Sequence, residues 1–108
     1  MSEIKELQDE IESFTQERDW DQFHTPANLA KSISIEAGEL LECFQWNEAD
    51  FDLEAVKEEL SDVINYCLQM ATVLDLDVKE IVEAKMEKNR AKYPVSKAKG
   101  KATKYDKL

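Results

Sequence analysis

The sequence predicts an all-α protein, folded as an antiparallel four-helix bundle. Apolar residues recur at helical spacing through most of the 108 residues, and no segment shows the alternation typical of a half-buried strand. The chain has only two glycines and two prolines, fewer than a turn-rich β-sandwich needs. Its length is that of one domain. We therefore expect a single helical domain over residues 1–94, and a basic tail over residues 95–108 that is mobile or packed on a partner subunit.

The first two helices are predicted on either side of an irregular segment. The first should end near Arg18 or Asp19, and residues 19–24 have no helical period and are expected to form a loop. Thr25-Pro26 is a typical helix start, with Thr at the N-cap and Pro at the first helical position. The second helix should then run to about Trp46. The stripe of the first helix consists of Ile4, Leu7, Ile11 and Phe14, and that of the second of Leu29, Ile33, Ala37, Leu40 and Phe44.

Two further helices complete the predicted bundle. The third should end at the break Asp75-Leu76-Asp77, where Asp77 and Glu80 resemble a capping box that starts the fourth. The fourth should stop before Pro94. The third helix carries the apolar stripe Val56, Leu60, Val63, Ile64, Cys67 and Ala71, and the fourth carries Ile81, Val82 and Met86. A bundle this short often pairs with a second copy, because apolar residues remain after its helices pack together.

Charge is distributed unevenly along the chain. The net charge is −10, from 24 acidic and 14 basic residues, so we expect no nucleic-acid partner. Residues 1–84 contain 22 acidic and 5 basic residues, whereas residues 85–108 contain 2 acidic and 9 basic ones. The sequence therefore predicts an acidic body with a basic end.

The cellular setting is predicted from the cysteines and from the absence of targeting patterns. We find no secretory signal and no apolar run of the roughly 18 residues that a transmembrane helix needs, so we expect no membrane partner. Cys43 and Cys67 lie in helical apolar patterns, too far apart for a zinc motif. We expect both to be reduced core residues of a cytoplasmic protein.

Two of the predicted helices carry carboxylates beside their apolar stripes. Glu36 and Glu39 are three residues apart on the second helix, with Glu36 inside the apolar face and Glu39 at its edge. Glu59 and Asp62 have the same spacing on the third helix. Burying a carboxylate is costly unless a positive charge neutralises it, and basic residues are scarce in this part of the chain. Converging from two packed helices, the four acids would bind a hard divalent cation, Mg²⁺ or Mn²⁺.

Two alternative interpretations apply to these acids. A di-iron centre in a helix bundle uses Glu-x-x-His pairs, but the only histidine, His24, lies in the predicted loop. In the second interpretation the acids are solvated residues on the flanks of amphipathic helices, as isolated ExxE pairs commonly are. Spacing alone leaves this second interpretation open.

The acidic segments and their surroundings resemble a known enzyme family. Glu36-Ala37-Gly38-Glu39, followed after 19 residues by Glu59-Leu60-Ser61-Asp62, resembles the ExxE…ExxD signature of MazG-like nucleotide pyrophosphohydrolases. Other segments, across roughly residues 10–108, look like the dCTP pyrophosphatase branch of that superfamily. They are residues 17–24, 44–46, 58–63, 85–86, 89–90, 93–94 and 104–105.

The resemblance implies the all-α fold of these pyrophosphatases and an activity in sanitation of the nucleotide pool. It implies cleavage of a nucleoside triphosphate between the α and β phosphates, releasing a monophosphate and pyrophosphate. It also implies a homodimer or homotetramer with sites at the subunit interface. By resemblance the Mg²⁺ ligands are Glu36, Glu39, Glu59 and Asp62. A carboxylate not fully engaged by the metal would orient the attacking water, and the candidates are Glu39, at the edge of the stripe, and then Glu36.

Further residues are candidates for binding the substrate. The phosphate candidates on the fourth helix are Lys85, Asn89 and Arg90. Their alternative role is a solvated helix end, where bases also favour the helix dipole. The candidates for the base and sugar are Trp20, His24, Trp46 and Tyr66. Stacking on an aromatic ring contributes about 1–3 kcal/mol per base, but the tryptophans would serve equally well to close the end of the bundle.

The main hypothesis is thus an Mg²⁺-dependent hydrolase of dCTP or a related modified deoxynucleotide. One alternative is a pyrophosphohydrolase for another nucleotide, such as dUTP or an oxidised deoxynucleotide. A protein of another class, a non-catalytic helical interaction module, would show no Mg²⁺-dependent release of pyrophosphate.

Overall fold

All regular structure in the computed structural model, which describes residues 2–108, is helical. Four long helices are present, α1 (Glu3–Glu17), α2 (Pro26–Glu42), α3 (Leu53–Val73) and α4 (Val78–Lys92). Shorter elements are a 3-10 helix (Asp21–Phe23), helix α5 (Val95–Ala98) and a final 3-10 helix (Tyr105–Lys107). The expected all-α class and the number of long helices are confirmed. Within residues 2–108, no helix is both long and apolar enough to span a bilayer.

The chain falls into two compact units, one ending at Leu76 and the other beginning at Asp77. In the first unit α2 packs along α3, and α1 makes a smaller contact with α3. The buried apolar residues of this unit are Leu29, Leu68 and Ala71.

The second unit consists of α4, α5 and the final 3-10 helix. In this unit the backbone N–H of Tyr105 donates to the Tyr93 hydroxyl at 3.2 Å, and the two rings meet edge to face. The segment expected to be a tail therefore contacts the end of α4. The predicted boundary at residue 94, between a helical domain and a tail, stays a prediction.

Local side-chain chemistry fixes where the helices begin. The Thr25 hydroxyl accepts the Asn28 N–H at 3.2 Å, which confirms the predicted N-cap ahead of Pro26. The Asp77 carboxylate likewise accepts the Glu80 N–H at 2.9 Å. Asp52 caps α3 in the same way, because its carboxylate accepts the N–H groups of Glu54 and Ala55 in the first turn of that helix.

Helices α1 and α3 end in the same C-terminal capping motif. Asp19 and Asp75 adopt left-handed backbone angles, with φ of 57° and 54°. Each is followed by a residue whose N–H reaches back into the last helical turn, Trp20 to Thr15 O at 3.0 Å and Leu76 to Ala71 O at 2.8 Å. These are Schellman motifs built with Asp, which is one of the few residues other than glycine that adopts this conformation readily.

Helix α2 ends earlier than expected, at Glu42 instead of about Trp46. Residues 43–45 continue as tight i to i−3 turns, and Asn47 then ends the helical path. The Asn47 side chain accepts the N–H groups of Ala49 and Asp50, at 3.2 and 2.8 Å. This local bond competes with helix continuation. Trp46 consequently lies in the connection between α2 and α3.

The apolar stripes are less buried than the periodicity predicted. On α1 the buried residues are polar, Gln8 and Thr15, whereas Leu7 and Phe14 are about half exposed. Cys67 is also exposed, so the expectation that it belongs to the core is wrong. Part of the α3 stripe is also exposed to solvent. The exposed residues of this row are Leu60, Ile64 and Cys67.

Candidate metal centre

Helices α2 and α3 bring the predicted acids together. One carboxylate oxygen from each of Glu36, Glu59 and Asp62 lies within 4.8 Å of the others. The fourth acid, Glu39, lies near enough to influence the protonation of Glu36 and Glu59, and it raises the pKa of both. The i, i+3 spacing on each helix produces this arrangement, because it places each pair on one helical face.

The protonation of the cluster reflects the crowding of like charges. The hydrogen bond with Glu39, partial burial and the nearby carboxylates raise the pKa of Glu36 from 4.5 to about 7. The pKa of Glu59 is raised by its own hydrogen bond with Glu39 and by burial. Without a cation the cluster therefore retains protons at a pH where isolated carboxyls are ionised.

The donor set fits a hard divalent cation. Oε2 of Glu36 and Oε2 of Glu59 are both buried and have no hydrogen-bond partner. Buried polar atoms are usually paired, so two unpaired carboxylate oxygens in one cluster call for a positive partner. All available donors are oxygens, the ligands that Mg²⁺ and Mn²⁺ prefer. The cluster is thus a candidate site for a divalent metal.

We expect the metal-free protein to lose stability as pH rises from about 4.5 to about 7. The folded state binds the Glu36 proton more tightly than the unfolded state does. The resulting stabilisation is therefore complete below pH 4.5 and is lost as the pH rises through about 7. Thermal melts in EDTA across this range measure the slope. Glu36→Gln cannot ionise and should flatten it, whereas Glu42→Gln, exposed at the end of the same helix, should not. Parallel wild-type and Glu36→Gln profiles would contradict this assignment.

The candidates for base and sugar binding lie in several places within the first unit. Tyr66 lies one helical turn after Asp62 on α3, and burial together with the charges of Glu36, Asp62 and Glu39 raises its pKa. Trp20 packs edge to face on Phe14, with ring centroids 5.7 Å apart.

The other two base and sugar candidates lie outside the cluster. Trp46 is 89% exposed, so it does not close the end of the helices in this chain. His24 lines a separate cavity between α1 and α3.

The phosphate candidates lie on α4, in the second unit. Arg90 forms an ion pair with Glu87, and Asn89 is within 3.8 Å of the Met86 sulfur. Lys85 and Asn89 are one turn apart on the helix. Their role at the phosphates stays a prediction.

Sequence reasoning missed a polar contact between α1 and α3. The Gln8 amide donates to Leu68 O at 3.3 Å and to the Thr72 hydroxyl at 3.1 Å. Gln69 lines the same cavity as His24. The only available signal was the presence of Gln8, Gln69 and Thr72 within predicted helices, and this does not distinguish a buried contact from a solvated one.

Fold and site together define an all-α protein with a carboxylate cluster shared by two neighbouring helices. The family model described as the MazG-like family matches residues 31–108, which is more than half of the chain. The chain belongs to the MazG-like family.

The chain is similar to curated proteins and to a solved structure. The chain is 40% identical over 104 residues to mouse dCTP pyrophosphatase 1 and 38% identical over 104 residues to its human counterpart. Each match covers 88% of this chain and 61% of the relative, so the chain spans about three fifths of the length of these curated relatives. A crystal structure of a pyrophosphatase from Archaeoglobus fulgidus is 43% identical, with a TM-score of 0.78, covering 87% of this chain and 94% of that one.

Proposed function

We propose that the protein is a metal-dependent pyrophosphohydrolase of nucleoside triphosphates, cleaving dCTP or a related deoxynucleotide to the monophosphate and pyrophosphate. The observation that carries the proposal is the pair of buried, unpartnered oxygens of Glu36 and Glu59 within the acidic cluster. Similarity to proteins named dCTP pyrophosphatase 1 supports the choice of substrate.

The four acids would bind Mg²⁺, through Glu36, Glu39, Glu59 and Asp62. When bound, the metal supplies positive charge that polarises a phosphate and lowers the pKa of water. Glu39 is exposed, whereas Glu36 and Glu59 each bury one oxygen. This difference favours Glu39 as the carboxylate that orients the attacking water and accepts its proton, with Glu36 as the second candidate.

The remaining candidates would hold the rest of the nucleotide. Lys85, Asn89 and Arg90 would neutralise or hydrogen-bond the phosphates, because departing pyrophosphate needs positive charge and donors. Tyr66, beside the acids, would pack against the sugar. The aromatic surfaces of Trp20 and Trp46 are available for stacking on a base, and His24 would contact it.

We also propose that the active form is a homodimer or homotetramer. Leu60 and Ile64 on α3 and Leu7 and Phe14 on α1 are each more than 40% exposed. Apolar rows of this kind mark association surfaces, and symmetric pairing with a second copy would cover them. Two free cysteines, Cys43 and Cys67, support a reducing, cytoplasmic location.

The experiment that tests the proposed function is a product assay over a panel of nucleoside triphosphates. With Mg²⁺ present, we expect dCTP to give dCMP and pyrophosphate, and EDTA to abolish the reaction. Greater activity on dUTP or an oxidised deoxynucleotide would identify that nucleotide, and not dCTP, as the preferred substrate of the same reaction. Absence of Mg²⁺-dependent pyrophosphate release with every nucleotide would favour a non-catalytic interaction module instead.

A further inference from the structure

A cavity of about 340 Å³ lies between α1 and α3, apart from the carboxylate cluster. Its volume is within the range of pockets that bind small ligands. Side chains from α1, α3 and the 3-10 segment after α1 line it. Those used in the argument are Glu12, Thr15, Asp21, His24, Leu68 and Gln69.

Gln69, one of the residues that line this cavity, has a hydrogen-bond acceptor without a partner. Its Nε2 donates to Asn65 Oδ1 at 2.7 Å, which fixes the orientation of the amide. Its Oε1 is buried and has no hydrogen-bond partner. An unpaired buried carbonyl oxygen is uncommon and costly, so it identifies a place where a ligand donor would bind.

The charge of the lining narrows the chemistry of that ligand. Glu12 and Asp21 contribute carboxylates, and the described lining includes no lysine or arginine. A phosphate would be repelled here, whereas an uncharged group carrying N–H donors would be attracted. Leu68 contributes apolar lining, which suits the face of a flat ring.

The position of Gln69 relates this cavity to the carboxylates. Asp62, Tyr66 and Gln69 are spaced by four and three residues, so they lie along one face of α3. Gln69 is about 10 Å along the helix axis from Asp62, at about 1.5 Å per residue. This separation is comparable to the reach of a nucleotide from its α-phosphate to the far edge of its base.

We infer that Gln69 is a specificity-determining residue whose Oε1 accepts a hydrogen bond from the exocyclic amino group of a cytosine base seated in the α1–α3 cavity. The inference rests on the proposed function, and it adds the group that distinguishes cytosine from uracil. Uracil presents a carbonyl oxygen at the same position, which would face the Gln69 oxygen without a shared proton.

The test compares binding of dCMP and dUMP by calorimetry, in wild-type protein and in Gln69→Leu. Wild type should bind dCMP about tenfold more tightly than dUMP, and Gln69→Leu should remove most of this difference by weakening dCMP. Thr72→Val is the matched control, because its hydroxyl lines the same cavity but is already paired with Leu68 O and Gln8. It should leave the dCMP to dUMP ratio unchanged.

A second measurement needs no variant and so does not depend on correct folding of one. The 2-pyrimidinone deoxynucleotide lacks the amino group and should bind wild type about as weakly as dUMP. Equal wild-type affinity for dCMP and dUMP, an unchanged ratio in folded Gln69→Leu, or tight binding of the 2-pyrimidinone nucleotide would each overturn the inference. If wild type binds dCMP more tightly than dUMP but does not hydrolyse dCTP, the proposed reaction alone is contradicted.

Discussion

Replacing Asp62 by Asn is expected to lower dCTP turnover on the order of 10³-fold while leaving the helical fold intact. The substitution keeps the shape of the side chain but removes one negative charge from the cluster that Glu36 and Glu59 form with it. Weaker metal binding then removes the charge that stabilises the reacting phosphate. Pyrophosphate release under saturating Mg²⁺ measures the loss, and far-UV circular dichroism confirms the fold.

The metal-free stability of this variant separates a catalytic defect from misfolding. Removing one of several crowded charges should leave the melting temperature in EDTA equal to or above that of wild type. Asp50→Asn changes the same charge in the exposed connection before α3 and should leave turnover unchanged. Wild-type activity in Asp62→Asn would show that the cluster is not the metal site.

Replacing Leu29 by Ala is expected to lower the free energy of unfolding by about 2–5 kcal/mol. Leu29 is fully buried, two helical turns before Glu36 on α2, the helix that packs along α3. The truncation leaves a cavity in the core beneath α2, one of the two helices that carry the acids. Urea denaturation followed by circular dichroism measures the change.

Leu41→Ala makes the same truncation at a side chain that is 71% exposed on the same helix. In a dilute monomer it should change stability little, because its surroundings are already solvent. If the proposed oligomer covers Leu41, its effect will increase with protein concentration, whereas that of Leu29→Ala will persist at every concentration. A Leu29→Ala protein as stable as wild type would show that α2 and α3 are held together elsewhere.

Features determined by a few neighbouring residues were predictable from the sequence. The Thr25 and Asp77 caps depend on a side chain and an N–H three residues later, and both form as expected. The carboxylate pairs were also accessible, because i, i+3 spacing fixes a helical face before any tertiary contact is known. The end of α2 was missed because the Asn47 turn overrides a continuing apolar pattern.

Features that depend on how helices pack were not accessible in this way. The periodicity of α1 pointed to its apolar stripe as the buried face, yet Gln8 and Thr15 are the buried residues. Gln69 has no sequence pattern that sets it apart, and the burial of its unpaired oxygen depends on how the helices pack. The relation of Lys85 and Arg90 to the acids likewise depends on packing that spacing along one helix does not define.

The unpaired oxygens of Glu36 and Glu59 have a consequence for the lifetime of the protein in the cell. A ligand that binds only the folded state suppresses unfolding in proportion to its concentration relative to its dissociation constant. With the proposed metal bound, the chain would open less often and offer proteases fewer chances of cleavage. The cluster would thereby link the abundance of the protein to the supply of divalent cations, so that metal starvation would deplete the protein as well as its activity.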